Sequence, residues 1–225
     1  VLVIAGDIDP KTSLIKAKKA FSPMQRQASE PINLGYSSLN SHQAALVKHA
    51  ASTYAYLSME WLTLGKQSQE SQILAILEII LGDSSQGLLV KELELSLELA
   101  NQVECISYSQ GQTGQFSLSM IPNSNTDIPI IIDVINAQLT SLATHGIQEN
   151  LFAMAKKKVW LNWLLEWERL ETRAEMVLEW LMWNPRLEGI QTEAQKILSI
   201  SQSDLKKLAA DLLKRRPLVI QGLTT

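Results

Sequence analysis

Residues 73–109 read ILAILEIILGDSSQGLLVKELELSLELANQVECISYS, and their pattern is helix, polar break, helix, strand. Ile73, Ile76, Leu77 and Ile80 share one helical face. Gly82-Asp83-Ser84-Ser85 interrupts that run with turn formers and offers a cap for the next helix. Leu88, Leu89, Glu92, Leu93, Ser96 and Leu97 continue at helical spacing up to Ala100-Asn101. Val103, Cys105 and Ser107 then alternate as in a half-buried strand.

Outward from this stretch, the same reading gives further elements. Val1–Ala5 is a continuous apolar run, expected as a buried strand, followed by a turn in which Asp9 caps a helix with Pro10 at its first position. That helix covers Lys11–Phe21. Residues 22–40 form the longest irregular connection. Two strands are expected at 43–50 and 52–62; in the second, Tyr54, Tyr56, Ser58 and Glu60 face one way, and Ala55, Leu57, Met59 and Trp61 the other. The strand 103–110 and its neighbour 115–122 form an antiparallel hairpin around 111–114. Asn123–Asp127 introduces a helix with Ile128, Ile131, Ile132, Ile135, Leu139 and Leu142 on its apolar side, ending near His145-Gly146, and 148–183 is helical in character almost throughout. Short helices near 192–198 and 203–213, capped at Ser201-Gln202-Ser203-Asp204, precede a last strand at 218–222. Runs of strands interrupted by helices predict an α+β fold, a two-layer sandwich with helices on one face of a mostly antiparallel sheet. No repeat or linker divides the chain, so 1–225 is read as one domain. A chain that opens directly on a buried-type strand reads as a piece of a longer protein.

Composition narrows function mainly by exclusion. The 225 residues are 46% apolar, which suffices for a proper core, and a net charge of −3, from 20 basic and 23 acidic residues, gives no ground for nucleic-acid binding. One cysteine, Cys105, excludes an internal disulfide and a multi-cysteine metal site. No apolar run approaches the roughly 18 residues that span a bilayer, and no signal peptide is evident. The compartment is left open.

Chemical motifs are scarce. His42, His49 and His145 have no helical metal spacing, and neither HExxH nor HxxEH occurs. There is no GxSxG and no glycine-rich phosphate loop. Ser84 and Ser85 open a helix, where capping is the ordinary role and anion binding at the helix N-terminus the alternative. Trp160, Trp163 and Trp167 share a helical face at i, i+3 and i+7, a stripe that serves either as core or as an interface.

Several stretches together resemble the pitrilysin and insulinase family of zinc metallopeptidases, the group of the mitochondrial processing peptidase. The stretch 1–23, VLVIAGDIDPKTSLIKAKKAFSP, resembles that family's strand, Gly-Asp, Asp-Pro, helix and Phe-x-Pro segment. Residues 74–108 are similar to its helix, Leu-Gly-x-x-Ser-Ser, helix and strand, and 201–222 to its closing helix and strand. The resemblance is to the second, non-zinc unit of a pair. It implies that zinc and HxxEH belong to a catalytic partner domain or subunit, that this chain itself holds no metal or catalytic residue, and that it helps enclose a peptide substrate. Active relatives often carry an arginine and, seven residues later, a tyrosine that hold the substrate backbone. The matching positions here are Glu94 and Asn101, and a carboxylate reverses the charge offered there. Either the register differs, or another unit has that role, or peptidase activity has been lost. Ser84, Ser85, Glu94 and Asn101 are the candidate substrate-side positions, and an inactive scaffold of the same family is the rival reading.

Overall fold

A computed structural model describes residues 1–24, 46–52, 54–66, 68–184 and 186–224. Contacts group these into two compact units, Val1–Ser37 with Asn162–Thr192, and Ser38–Leu161 with Glu193–Thr225.

The second unit is the α+β sandwich. Its five strands are β1 (Leu46–Ser52), β2 (Tyr56–Leu64), β3 (Ala100–Gln110), β4 (Thr113–Pro122) and β5 (Leu218–Thr224), in the order β1-β5-β2-β4-β3. All neighbours are antiparallel except β1 and β5, which run parallel. Alternation sets the layering: Leu57, Met59 and Trp61 of β2 join Phe116, Leu118 and Met120 of β4 in the core, while Ser58 and Glu60 point to the other face. Helices α2 (Gln69–Gly82), α4 (Ile128–His145) and α8 (Gln202–Lys214), the last preceded by the short α7 (Glu193–Ser199), complete that core with Ile76, Leu77, Ile80, Ile131, Ile135 and Leu205.

Local chemistry explains the element ends. Ser68 Oγ accepts from the Ser71 amide at the start of α2. Ser201 and Asp204 form a reciprocal capping box before α8. Gly146, at φ 77°, ends α4 in a conformation that side chains avoid. Long-range polar contacts tie the layers together. The buried Trp61 Nε1 donates to the Leu212 carbonyl at 3.1 Å, and Arg215 forks onto Glu70 with two bonds of 2.8 Å.

The first unit contains α1 (Pro10–Phe21), the end of α5 (Glu149–Glu168) and α6 (Leu170–Trp183). Asp9 Oδ1 caps α1 through the Thr12 amide at 2.9 Å. Neither α1 nor α6 buries a residue, and Ile190 is the one buried large apolar side chain among this unit's described residues.

Four expectations change. Val1–Ala5 is not a strand: it pairs with no described strand, and Val1, Leu2 and Ile4 are exposed, because an apolar run becomes a strand only beside a partner for its amides. The long helix expected over 148–183 breaks at Arg169, whose backbone is extended; Thr172 Oγ1 donates to the carbonyls of Glu166 and Arg169, and the Arg173 amide bonds Arg169 O at 2.9 Å as α6 begins. The second helix of the 73–109 stretch is α only over α3 (Leu88–Val90), then π-helical over Lys91–Ser96. Of the two strands expected at 43–50 and 52–62, the first is described as β1 and runs on to Ser52, with 43–45 outside the described residues, and the second begins later, at Tyr56. Residues 25–45, with most of the long connection and His42, lie outside the described residues.

Phe116 is fully buried, with its ring centroid 6.0 Å from that of Trp61. Phe116→Ala is expected to lower the unfolding free energy by about 3–5 kcal/mol in urea titration, whereas Gln115→Ala on the exposed side of the same strand should cost under about 1 kcal/mol.

Candidate functional site

The turn after α2 is organised by Asp83, which the sequence marks only as one of the turn formers Gly82-Asp83-Ser84-Ser85. Asp83 is buried, and its Oδ1 accepts from the Ser85 amide at 3.0 Å, the Ser85 hydroxyl at 2.7 Å and the Gln86 amide at 3.0 Å. Its Oδ2 is paired with Lys158 Nζ from α5. The lysine and the Ser85 hydroxyl hold the Asp83 carboxyl far below the usual carboxylate range. Expected caps are thereby reassigned: α3 starts at Gly87 without a side-chain cap, and the Ser85 hydroxyl serves Asp83. The Ser85 and Gln86 amides are already occupied by that carboxylate, so an anion would have to displace it. Ser84 is exposed.

Beyond Gly87 the chain makes one α-turn and widens into the π-segment. Leu97 N bonds Glu92 O at 2.9 Å, an i to i+5 contact, and Ser96 Oγ donates to Lys91 O. Leu93 stays in the core, and Glu94 turns toward the sheet. There its Oε1 accepts from the Val103 amide of β3 at 2.6 Å.

β3 is an edge strand, and this bond is one of a pair. Glu78 Oε2, from the middle of α2, accepts from the Ser107 amide at 2.9 Å. Between them, Gly82 lies so close to β3 that a Cβ there would stand 2.4 Å from Cys105 Cβ and 3.1 Å from the Cys105 amide nitrogen. Burial raises the Glu78 pKa against the lowering effect of the Ser107 amide. Burial, with the Glu78 charge, pushes the Cys105 thiol well up, so it stays protonated and unreactive.

Ser84, Glu94 and Asn101 all line one open groove of about 500 Å³ along this edge, with Gly82, Val90 and the β3 backbone. Ser85 is not among its lining. Three of the four residues singled out from sequence therefore meet, with the Glu94 carboxylate already committed to Val103. The tryptophans divide. Trp163 and Trp167 stack at 5.3 Å with rings 7° apart in the first unit, while Trp160 lines a separate groove of about 370 Å³ with Phe152, Lys156, Lys157 and Leu198 in the second. All three are half-buried.

The sheet face opposite the helices is the other polar surface. Tyr56 Oη donates to Ser119 Oγ at 3.5 Å, Ser58 Oγ donates to Glu60 at 3.1 Å, and Gln102 donates to Glu104. Tyr54, Tyr56, Gln102, Glu104 and Ser119 line a shallow hollow of about 120 Å³. Among the described residues no three His, Cys, Asp or Glu side chains gather as a metal site, and no single helix is long and apolar enough to cross a membrane. His145 is exposed at the end of α4.

The fold is thus an α+β sandwich, a five-stranded, mostly antiparallel sheet with helices packed on it. Residues 1–159 match the family described as the Peptidase M16 inactive domain, and the chain belongs to that family. Among solved structures it is similar to a protease from Helicobacter pylori, with 18% identity over 97% of this chain and 54% of that one at a TM-score of 0.83. It is similar to the M16 inactive domain from Pseudomonas fluorescens, with 12% identity, 98% and 52% coverage and a TM-score of 0.75. A chain of complex III2 from Candida albicans, with Inz-5 bound, shares 16% identity over 80% of this chain and 46% of that one, at a TM-score of 0.69. The chain spans about half the length of the structures it matches. No curated protein matches its sequence.

Sequence spacing gave no sign of Lys158, which lies 75 residues from Asp83. Glu78 had one: it is the lone carboxylate in the run Ile73–Leu81. Asp83 yields a pH prediction. Its folded pKa is lowered, so the unfolded chain binds the extra proton; the stabilisation is complete above the unfolded value near 3.9 and is lost as pH falls toward the folded value. Asp83→Ala leaves the Ser85 and Gln86 amides unpaired and should cost about 1–3 kcal/mol at pH 7. The difference between variant and parent should shrink on acidification below pH 4, as read by urea denaturation.

Proposed function

We propose that this chain is the substrate-enclosing, non-catalytic half of a zinc metallopeptidase, working on peptides beside a domain or subunit of the same family that supplies zinc and HxxEH. The observation that carries this reading is the sheet face opposite the helices, where Tyr56, Gln102, Glu104 and Ser119 offer donors and acceptors over a hollow. An extended peptide presents alternating amides and carbonyls, and such a wall can hydrogen-bond them without contributing to bond cleavage. Ser84 and Asn101, on the groove along β3, are the remaining substrate-side candidates. Residues 1–225 act together as one peptidase-like domain in this proposal. The water, the metal and the general base all belong to the partner. The chain's role is to orient the peptide and exclude solvent.

A second reading, an inactive scaffold of the same family, is favoured by one specific contact. Glu94 stands where active relatives place a substrate-holding cation, and its carboxylate is engaged by the Val103 amide. A similar fold occurs in a complex III2 chain.

Metal analysis and peptide turnover on the natural gene product, with any subunits that co-purify, test both readings. The isolated 225-residue chain should bind no stoichiometric zinc and cleave nothing. The natural protein should cleave peptides and stop on chelation, and Tyr56→Ala with Glu104→Lys should raise KM several-fold with a smaller change in kcat. One zinc per isolated chain, with turnover, overturns the proposal; a natural protein without turnover selects the scaffold.

A further inference from the structure

We infer that the hollow on the sheet face opposite the helices is a subsite for a basic side chain, Lys or Arg, of the enclosed peptide; this rests on the proposal that this face is a substrate wall. Tyr54 and Tyr56, Gln102 and Glu104 of β3, and Ser119 and Ile121 of β4 surround a space of about 120 Å³. Register sets the arrangement. Ser119 stands opposite Ser58 of β2 on one side and opposite Glu104 of β3 on the other, so a row of hydroxyls ends beside a carboxylate.

The hydrogen bonds of that row decide what it can receive. Ser58 gives its one proton to Glu60 at 3.1 Å, so Ser119 is the donor in its 3.3 Å bond to Ser58, and Tyr56 Oη donates to Ser119 at 3.5 Å. The hydroxyl protons of the row are thereby spent on the sheet's own groups, and lone pairs are what remain. Glu104 accepts from Gln102, which takes one of its roughly four lone-pair positions and leaves the rest open. The hollow is therefore rich in acceptors.

Charge points the same way. Among the described residues, the outward positions of β2, β3, β4 and β5 carry two carboxylates, Glu60 and Glu104, and no lysine or arginine. Glu104 is exposed and Tyr54 is 56% exposed, so both are open to a guest. An ammonium or a guanidinium brings only donors, and either is drawn to the carboxylate and to tyrosine ring faces. An acidic side chain would meet like charge, and an apolar one would strip water from Glu104 without replacing its hydrogen bonds.

The test is peptide binding to the natural gene product with its co-purifying subunits, read by fluorescence anisotropy with a chelator present so that nothing is cut. The probes are labelled Ser/Thr peptides with one central Arg, Lys, citrulline, norleucine or Glu. The Arg and Lys peptides should bind at least about 10-fold tighter than their neutral counterparts, and the Glu peptide weakest. Glu104→Gln should bring all the probes within about 3-fold of one another, Glu104→Lys should favour the Glu peptide, and neither should change the Tm. Arg and citrulline peptides bound alike by the parent, or a preference that survives Glu104→Gln, overturns the inference. Charge preference without turnover by the unchelated protein leaves the subsite standing and removes the peptidase reading. Turnover without charge preference does the reverse, and neither binding nor turnover of any probe removes both.

Discussion

The free edge of β3 is the constraint on which the rest of the sandwich depends. An edge strand exposes every second amide, and an open row of amides invites strand addition. Here the Val103 and Ser107 amides are taken by carboxylates from two different elements, at 2.6 Å and 2.9 Å, and a glycine brings α2 against the backbone between them. Each feature requires the others. Glu78 can reach Ser107 only because α2 lies close to β3, and α2 can lie so close only because residue 82 has no side chain. Glu94 can reach Val103 only because the preceding helix widens into a π-turn that keeps Leu93 in the core while Glu94 swings to the sheet.

The same arrangement connects the turn at 83–87 to the core. Asp83 gathers the Ser85 and Gln86 amides and the Lys158 ammonium, so the turn is fixed by one carboxylate tied to α5. With the helix side filled by apolar packing and the β3 edge closed, the polar chemistry of the sandwich is concentrated on the second sheet face, around Tyr56, Gln102, Glu104 and Ser119. That wall of hydrogen-bonding groups is what the proposed substrate-enclosing role draws on.

Much of this was legible in the sequence, for identifiable reasons. Period-two alternation placed Leu57, Met59 and Trp61 in the core and Ser58 and Glu60 opposite, because a strand has no other way to arrange them. Ser201 with Asp204, and Gly146, marked helix ends through chemistry that acts over three or four residues. Part of the groove was legible: the turn and the family resemblance singled out Ser84, Glu94 and Asn101, which the fold brings to one edge, while the bond of Glu94 to the Val103 amide was not foreseen. That contact depends on the π-turn, which no apolar period announces. Lys158 was invisible because its partner is 75 residues away. Val1–Ala5 misled for the opposite reason: its composition is that of a strand, but a strand is a pair property, and no described strand lies beside it. Arg169 breaks a helix that every local propensity would continue.

The central claim, that Glu94 serves the sheet as an edge cap, is tested most directly by the exchange rate of the Val103 amide, measured by NMR in the parent chain and in Glu94→Ala. Protection in the parent should be comparable to that of the paired amides of β4, falling by at least about 10-fold in the variant while Leu118 is little changed. A Val103 amide that exchanges at the rate of an open edge in the parent, or one that is indifferent to loss of the carboxylate, would contradict it.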